Sequence, residues 1–316
     1  MNTKKTSPRP IAVVAGVRTP MAKAFTQLRH QSAVQLGSHV LTSVLKRCGL
    51  STSDVDEVVF GNVAGPPDSA NVARVISLHA GVPEDRIAHT VNRNCASGME
   101  SILAGWHAIQ QGRAKTVIAG GTESMSNIPF LYSSDAAACW MRLARAKTIS
   151  QKLSAITAFR PRHFRPVVGI ELGLTDPVSG LNMGETAEVL AHEFGISREQ
   201  QDAFAMNSHQ KAEAAQKACF LSSEISPFDL GAEDLFEKDS AIRYGQSLEQ
   251  LAKLRPLFKR EFSCSDGVAH WPRTVTAGNS CPLTDGAAAV VLADFQNLDR
   301  FDAPPLGYIT DYAIAG

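Results

Sequence analysis

The sequence predicts an α/β fold: a parallel or mixed sheet with helices on both faces, interrupted by an inserted, mostly helical domain. Three observations predict it. Short apolar strands alternate with amphipathic helices through the first 125 residues; the alternation breaks between about residues 126 and 273; and it returns as an apolar strand over 287–293. With 316 residues, 44% of them apolar and 20% charged, the chain can bury a sizeable core.

Each element has its own signal. Residues 11–15 read as a short buried strand, followed by Gly16-Val17-Arg18-Thr19-Pro20. Over 32–50 the spacing is helical: Val34, Leu36, Val40, Leu41, Val44 and Leu45 share one face, and Gly49 ends it. Residues 55–63 form a second strand ending in Gly61-Asn62, and 71–79 a short helix with Val72, Val75, Ile76 and His79 turned inward. Residues 87–91 are extended, and a helix over 99–111 follows, closed by Gly112. Residues 116–120 are a strand opening into Gly121-Thr122-Glu123-Ser124. The expected organisation is therefore 1–125, an insertion over 126–273, a return over 274–303 and a further strand within 304–316.

Composition excludes several classes. The 31 Lys and Arg balance the 31 Asp and Glu, so nothing global points to nucleic acid. Apolar runs are far shorter than a bilayer span. Lys4 and Lys5 are followed by Ser7, Pro8 and Pro10, so no signal peptide is expected. The six cysteines lie far apart without a CxxC pair, and the nine histidines fall at no metal spacing. The expectation is a reduced, cytoplasmic protein without structural metal.

Residues 136–170 hold seven Lys or Arg and no acid, interleaved with Leu143, Ile149, Leu153, Ile156 and Phe159 until Pro161 and Pro166 break the helix. Such a stretch is either a solvated face or a surface for an anionic membrane or a partner protein.

The stretch richest in chemistry is Asn92-Arg93-Asn94-Cys95-Ala96-Ser97-Gly98. It sets one cysteine between a strand and a long apolar helix, where amide N–H groups and the positive end of the dipole favour a thiolate. The alternative for such a cysteine is a buried structural thiol.

This motif resembles the N-terminal active site of thiolases, which cleave or form a carbon–carbon bond in 3-ketoacyl-CoA. The resemblance continues in order through Gly61-Asn62-Val63, Asn71-Val72-Ala73-Arg74, Gly120-Gly121-Thr122-Glu123-Ser124-Met125-Ser126 and Met183-Gly184-Glu185-Thr186-Ala187-Glu188. It closes with Thr274-Val275-Thr276-Ala277-Gly278-Asn279 and Leu283-Thr284-Asp285-Gly286. It implies Cys95 as nucleophile and acyl carrier, with Met183, Arg243, Phe258, Ala277 and Cys281 on the CoA site. Arg243 would meet the nucleotide end of CoA, and Cys281 stands where short-chain members carry a serine near the pantetheine. CoA enters as substrate, and no cofactor is bound permanently.

The basic stretch and Gln246-Ser247-Leu248-Glu249-Gln250-Leu251 look most like the thiolase β-subunits of fatty-acid oxidation complexes. That likeness implies β-oxidation, a homodimer, a hydratase/dehydrogenase partner subunit and peripheral membrane contact through 136–170. The loop over 259–273, with His270 and Trp271, looks longer than usual.

The resemblance also implies a histidine and a second cysteine on Asn-Glu-Ala-Phe, Gly-His-Pro and Cys-x-Gly-Gly segments, none of which occurs in this sequence. The expectation is therefore an N-terminal portion whose C-terminal half is absent, with 304–316 as the first strand of that half. A helix over 99–111 carrying Met99, Ile102, Leu103, Ala104, Trp106, Ala108 and Ile109 would then show a bare apolar patch. The alternative function is a non-catalytic acyl-CoA-binding or assembly subunit of an oxidation complex.

Overall fold

The first strand, β1 (Ile11–Arg18), is buried along most of its length and is followed by the two-residue β2 (Ala22–Lys23). The computed structural model describes residues 9–231, 234–258, 262–264, 267–269 and 272–315. Helix α1 (Ala33–Arg47) starts at a reciprocal cap: Ser32 accepts from the Gln35 N–H at 3.2 Å, and the Gln35 side chain accepts from the Ser32 N–H at 2.8 Å. Then come β3 (Glu57–Gly61), α2 (Val72–His79, capped by Asn71), β4 (Ile87–Val91), α3 (Ser97–Gln110) and β5 (Thr116–Ser124). Gly112, just past α3, has φ +72°, the left-handed stop its position predicts.

The middle of the chain is built from short pieces. They are β6 (Phe130–Leu131), α4 (Ser134–Arg145), α5 (Ile149–Ile156), β7 (Val167–Val168), α6 (Gly169–Leu174) and α7 (Met183–Glu193). The long α8 (Arg198–Lys217), the pair β8 (Phe228–Asp229) and β9 (Leu235–Phe236), α9 (Leu248–Ala252) and the hairpin β10 (Phe262–Cys264)–β11 (Gly267–Ala269) follow. Residues 259–261, 265–266 and 270–271 of the 259–273 loop, His270 and Trp271 among them, lie outside the described residues.

The chain returns in β12 (Thr284–Asp294) and β13 (Gly307–Ile309). The main sheet has seven strands, ordered β13-β1-β12-β5-β3-β4 with β2 on β12. It is mixed: β3 runs parallel to β4 and β5, while β12 is antiparallel to both β5 and β1. Period-two alternation divides its residues between two cores. Val58, Phe60 and Ile118 face the α1–α2 side, and Val59, Val117 and Ala119 face the α3 side with Trp106 and Ile109. Helices therefore cover both faces, as expected.

Four details add to the sequence expectation or depart from it. Two compact units form: Met1–Asn127 with Asp202–Leu254 and Ala277–Gly316, and Ile128–Gln201 with Arg255–Thr276. Residues 202–254, expected inside a 126–273 insertion, thus belong with the sheet, because Arg18 at the end of β1 is bound to Glu224 and Asp239. Residues 307–309, expected as the first strand of a second half, pair antiparallel with β1 and give it a neighbour on its outer side. His79 is exposed, since the inward face of α2 is Val72, Ala73, Ile76 and Ser77. Part of the apolar surface of α3 is covered from within the chain: Met99 is exposed, but Tyr312 packs edge-on against Trp106 at 5.3 Å and its hydroxyl meets His107 Nε2 at 2.7 Å.

Candidate active site

Parallel strands deliver their carboxyl ends to one edge of the sheet, and α/β proteins place ligands there. Here the pairs Gly61↔Val91 and Gly61↔Gly121 bring the ends of β3 and β4 level, with β5 running three residues further to Ser124. The chain leaves β4 through Asn92 and Arg93 and turns sharply at Asn94, whose φ is +46°. Asn tolerates this left-handed backbone better than most residues. The turn is locked from inside: the Arg93 N–H donates to Ser97 Oγ at 2.8 Å, Ser97 Oγ donates to the Asn94 carbonyl at 2.6 Å, and the Asn94 N–H donates to Asn92 Oδ1 at 3.0 Å.

Cys95 rides on this turn, two residues before α3 begins, and it is exposed. The buried-thiol alternative therefore does not describe it, whereas Cys48 is buried, its thiol pushed up by that burial. The N-cap of α3 is Ala96, so no side chain occupies the amides of its first turn. The Ser97 N–H donates to the Asn94 carbonyl at 3.0 Å, and the positive end of the α3 dipole lies next to the turn that carries the thiol.

Close packing beneath the turn needs glycine. A Cβ on Gly61 would meet the Ser97 carbonyl carbon and oxygen at 2.5 Å, whereas Gly65 has open space around it. Glu123, at the end of β5, ties the neighbouring loop down. Its carboxylate accepts the Val63 N–H at 2.9 Å, the Ala64 N–H at 3.2 Å and Asn62 Nδ2 at 3.0 Å. Asp285 on β12 similarly accepts the Ser126 N–H at 2.9 Å.

Burial pushes the Glu123 carboxyl above its ordinary range, outweighing the donors that pull it down. A carboxyl held higher in the folded chain than in the unfolded one contributes stability that is full below its unfolded value. That contribution is lost as pH rises through the folded value. Glu123→Gln is therefore expected to flatten the decline in urea midpoint from about pH 4 upward. An unchanged slope would remove Glu123 as its source.

The residues implied for CoA fall into two groups. In the sheet unit, Arg243 and Ala277 come together: Arg243 Nη2 donates to the Ala277 carbonyl at 3.0 Å, both residues being exposed. The Arg243 N–H donates to His209 Nδ1 at 3.2 Å; burial and then the Arg243 charge hold His209 below its ordinary range. Cys281 is exposed in the same unit.

In the other unit, Met183 opens α7 behind the Asn182 cap, and the Phe258 ring lies over Gly184, where a Cβ would collide with it. Glu188, buried on α7, holds the adjoining loop: it accepts the Thr274 N–H at 3.0 Å and the Val275 N–H at 2.8 Å. Glu123, Asp285 and Glu188 were not singled out from the sequence. The available signal was an acid set among small or apolar residues inside an element.

The middle unit carries a helical hairpin. Thr148 and Gln151 form a reciprocal cap that starts α5, so the helix breaks at 146–148, well before Pro161. Arg142 Nη2 donates to Ser154 Oγ at 2.8 Å between the two helices, and Trp140, Phe159 and Phe164 cluster at 4.9–6.4 Å. Met141, Ile149, Leu153 and Ile156 remain at least half exposed, amid the basic residues. No helix among the described residues is long and apolar enough to cross a membrane, and no cluster of metal-ligating side chains occurs among them.

Comparison with known proteins supplies the family context. The family profile "Thiolase, N-terminal domain" matches residues 11–296. The chain is 36% identical over 310 residues to a 3-ketoacyl-CoA thiolase of Yersinia enterocolitica, covering 96% of this chain and 67% of that protein. The 3-ketoacyl-CoA thiolase of Yersinia pestis gives the same identity over 306 residues. Among solved structures, the Bacillus anthracis acetyl-CoA acetyltransferase superposes with a TM-score of 0.79 at 31% identity, over 95% of this chain and 69% of that one. Human mitochondrial 3-ketoacyl-CoA thiolase in complex with CoA gives 0.78 at 32% identity, over 95% and 68%.

Proposed function

The chain belongs to the thiolase family, and on that footing we propose that it transfers acyl groups between 3-ketoacyl-CoA and CoA through a thioester on Cys95. The observation that carries this reading is an exposed Cys95 on a locked turn, beyond the carboxyl ends of three parallel strands and ahead of an uncapped helix. The Cys95 thiolate attacks the 3-keto carbon, and the bond between C2 and C3 breaks. Its electron pair takes up a proton at C2, acetyl-CoA leaves, and the acyl group stays on sulfur. A CoA thiolate then attacks the thioester carbon, releasing the shortened acyl-CoA and returning the Cys95 thiolate. CoA is a substrate in this scheme, and Arg243, Ala277, Met183, Phe258 and Cys281 are proposed to contact it.

The test is chemical. After incubation with acetoacetyl-CoA, the peptide bearing Cys95 is expected to gain one acetyl group and to lose it when CoA is added. Tight CoA binding that is indifferent to Cys95→Ala, with no acyl group on Cys95, would instead make the chain an acyl-CoA-binding or assembly subunit.

The resemblance to oxidation-complex β-subunits extends the proposal to cytoplasmic β-oxidation, a homodimer and a hydratase/dehydrogenase partner. The exposed apolar and basic residues of the α4–α5 hairpin favour peripheral contact with an anionic membrane as well. Each Lys or Arg near such a surface contributes about 1 kcal/mol. Co-sedimentation with anionic vesicles is expected, reduced by added salt and by reversing Arg142, Arg145, Lys147 and Lys152. Equal binding to neutral vesicles would count against it.

A further inference from the structure

One guanidinium plays no part in the scheme above, yet the residue it grips, Asp239, stands four positions before one that does, Arg243. Arg18, the last residue of β1, grips Asp239 with two nitrogens, Nη1 to Oδ1 at 2.7 Å and Nη2 to Oδ2 at 2.9 Å. Its Nε donates to Glu224 at 2.7 Å. The Arg18 and Asp239 side chains are only 15% and 12% exposed. Burial opposes the Arg18 charge, and the two carboxylates outweigh it, holding the guanidinium above its ordinary range.

Asp239 does more than neutralise Arg18. Its Oδ1 also accepts the Met21 N–H at 2.7 Å, and the next residue continues the attachment. The Ser240 N–H donates to the Met21 carbonyl at 3.0 Å, and Ser240 Oγ accepts the Lys23 N–H at 3.0 Å. Residues 239–240 are thereby fastened along 21–23. Three residues on stands Arg243, bound through its N–H to His209 and through Nη2 to the Ala277 carbonyl. The far end is held where the Gly245 N–H donates to Glu213 Oε2 at 3.1 Å.

An exposed arginine on a free loop would lose side-chain and backbone freedom on binding; one on a loop fixed at both ends has lost part of it already. We propose that Arg18 and Asp239 are a positioning pair for CoA, fixing the loop that presents Arg243 to the nucleotide end of the substrate. The proposal rests on the reading of Arg243 as a CoA-binding residue. The two-nitrogen grip explains why arginine stands at position 18: a lysine keeps the charge but cannot make parallel bonds to both Asp239 oxygens while also reaching Glu224.

The test separates positioning from general stability by dividing the ligand. CoA and pantetheine, which lacks the nucleotide, are titrated calorimetrically into the full chain and into R18K, D239N, R243A and R18K/R243A. R18K and D239N are each expected to weaken CoA by up to about tenfold, the effect of one side chain's lost ordering, and to leave pantetheine unchanged. R18K is expected to add nothing in the R243A background. If R243A binds CoA like the parent, the Arg243 reading fails and the pair loses its object. If R243A weakens CoA but R18K and D239N do not, or if they weaken pantetheine equally, the pair is structural and the proposal is overturned. Thermal midpoints accompany each titration; should D239N not fold, R18K and the double variant decide the matter.

Discussion

Cys95→Ser is expected to abolish acyl-enzyme formation while leaving the fold intact. The loss in rate is on the order of 10⁶, the scale seen when a covalent nucleophile is removed. A thiol is partly ionised near neutral pH and intrinsically nucleophilic, whereas a hydroxyl in the same place needs a strong base to react. Because Cys95 is exposed and its turn is held by Ser97, Asn94 and Asn92, the substitution removes no packing. The unfolding free energy is therefore expected to stay within about 0.5 kcal/mol. Mass spectrometry of the Cys95 peptide after exposure to acetoacetyl-CoA, beside a urea melt, checks both halves. Undiminished acylation of the serine variant, or acyl groups on another residue, would remove Cys95 as nucleophile.

Gly61→Ala is expected to damage both the fold and the chemistry. The new methyl would stand 2.5 Å from the Ser97 carbonyl, a backbone group with no rotamer to change. Either β3 or the first turn of α3 must move, at a cost of about 1–3 kcal/mol. A displacement of Ser97 carries the turn that holds Cys95 with it, and a misplacement of about 1 Å lowers a rate by roughly 10². Gly65→Ala is the control: nothing lies within 4 Å of its Cβ, so neither quantity is expected to change appreciably. A Gly61→Ala chain as stable and as readily acylated as the Gly65→Ala chain would show that the turn does not depend on this contact.

Much of the sheet unit was legible because its elements are locally self-consistent. The apolar face of α1, the glycine after α3 and the strands over 55–63 and 87–91 all carry period and cap signals that survive folding. What escaped was set by partners distant in sequence. β5 runs on to Ser124 because β12 pairs with it along its whole length, and β13 finds β1 nearly 300 residues away. Glu123 and Glu188 stood inside segments that carried the resemblance, but their hold on neighbouring loops shows only when those loops are seen beside them. Cys95 was legible through its neighbours, whereas the Arg243–Ala277 contact depends on a loop return that leaves no periodic trace.

The place of β12 between β1 and β5 has a consequence for the newborn chain. On the ribosome, β3, β4 and β5 can assemble early, since they are close in sequence and mutually parallel. β1 cannot join them, because its link to that group is a strand ending at Asp294. At roughly 5–20 residues per second, synthesis from residue 125 to 283 takes about 8–32 s. Throughout that interval β1 and β5 each present a raw edge to solvent or to one another's copies on neighbouring polysomes. Translation speed through the middle of the message thus sets how long aggregation competes with folding, and slowing it there is expected to lower the soluble yield.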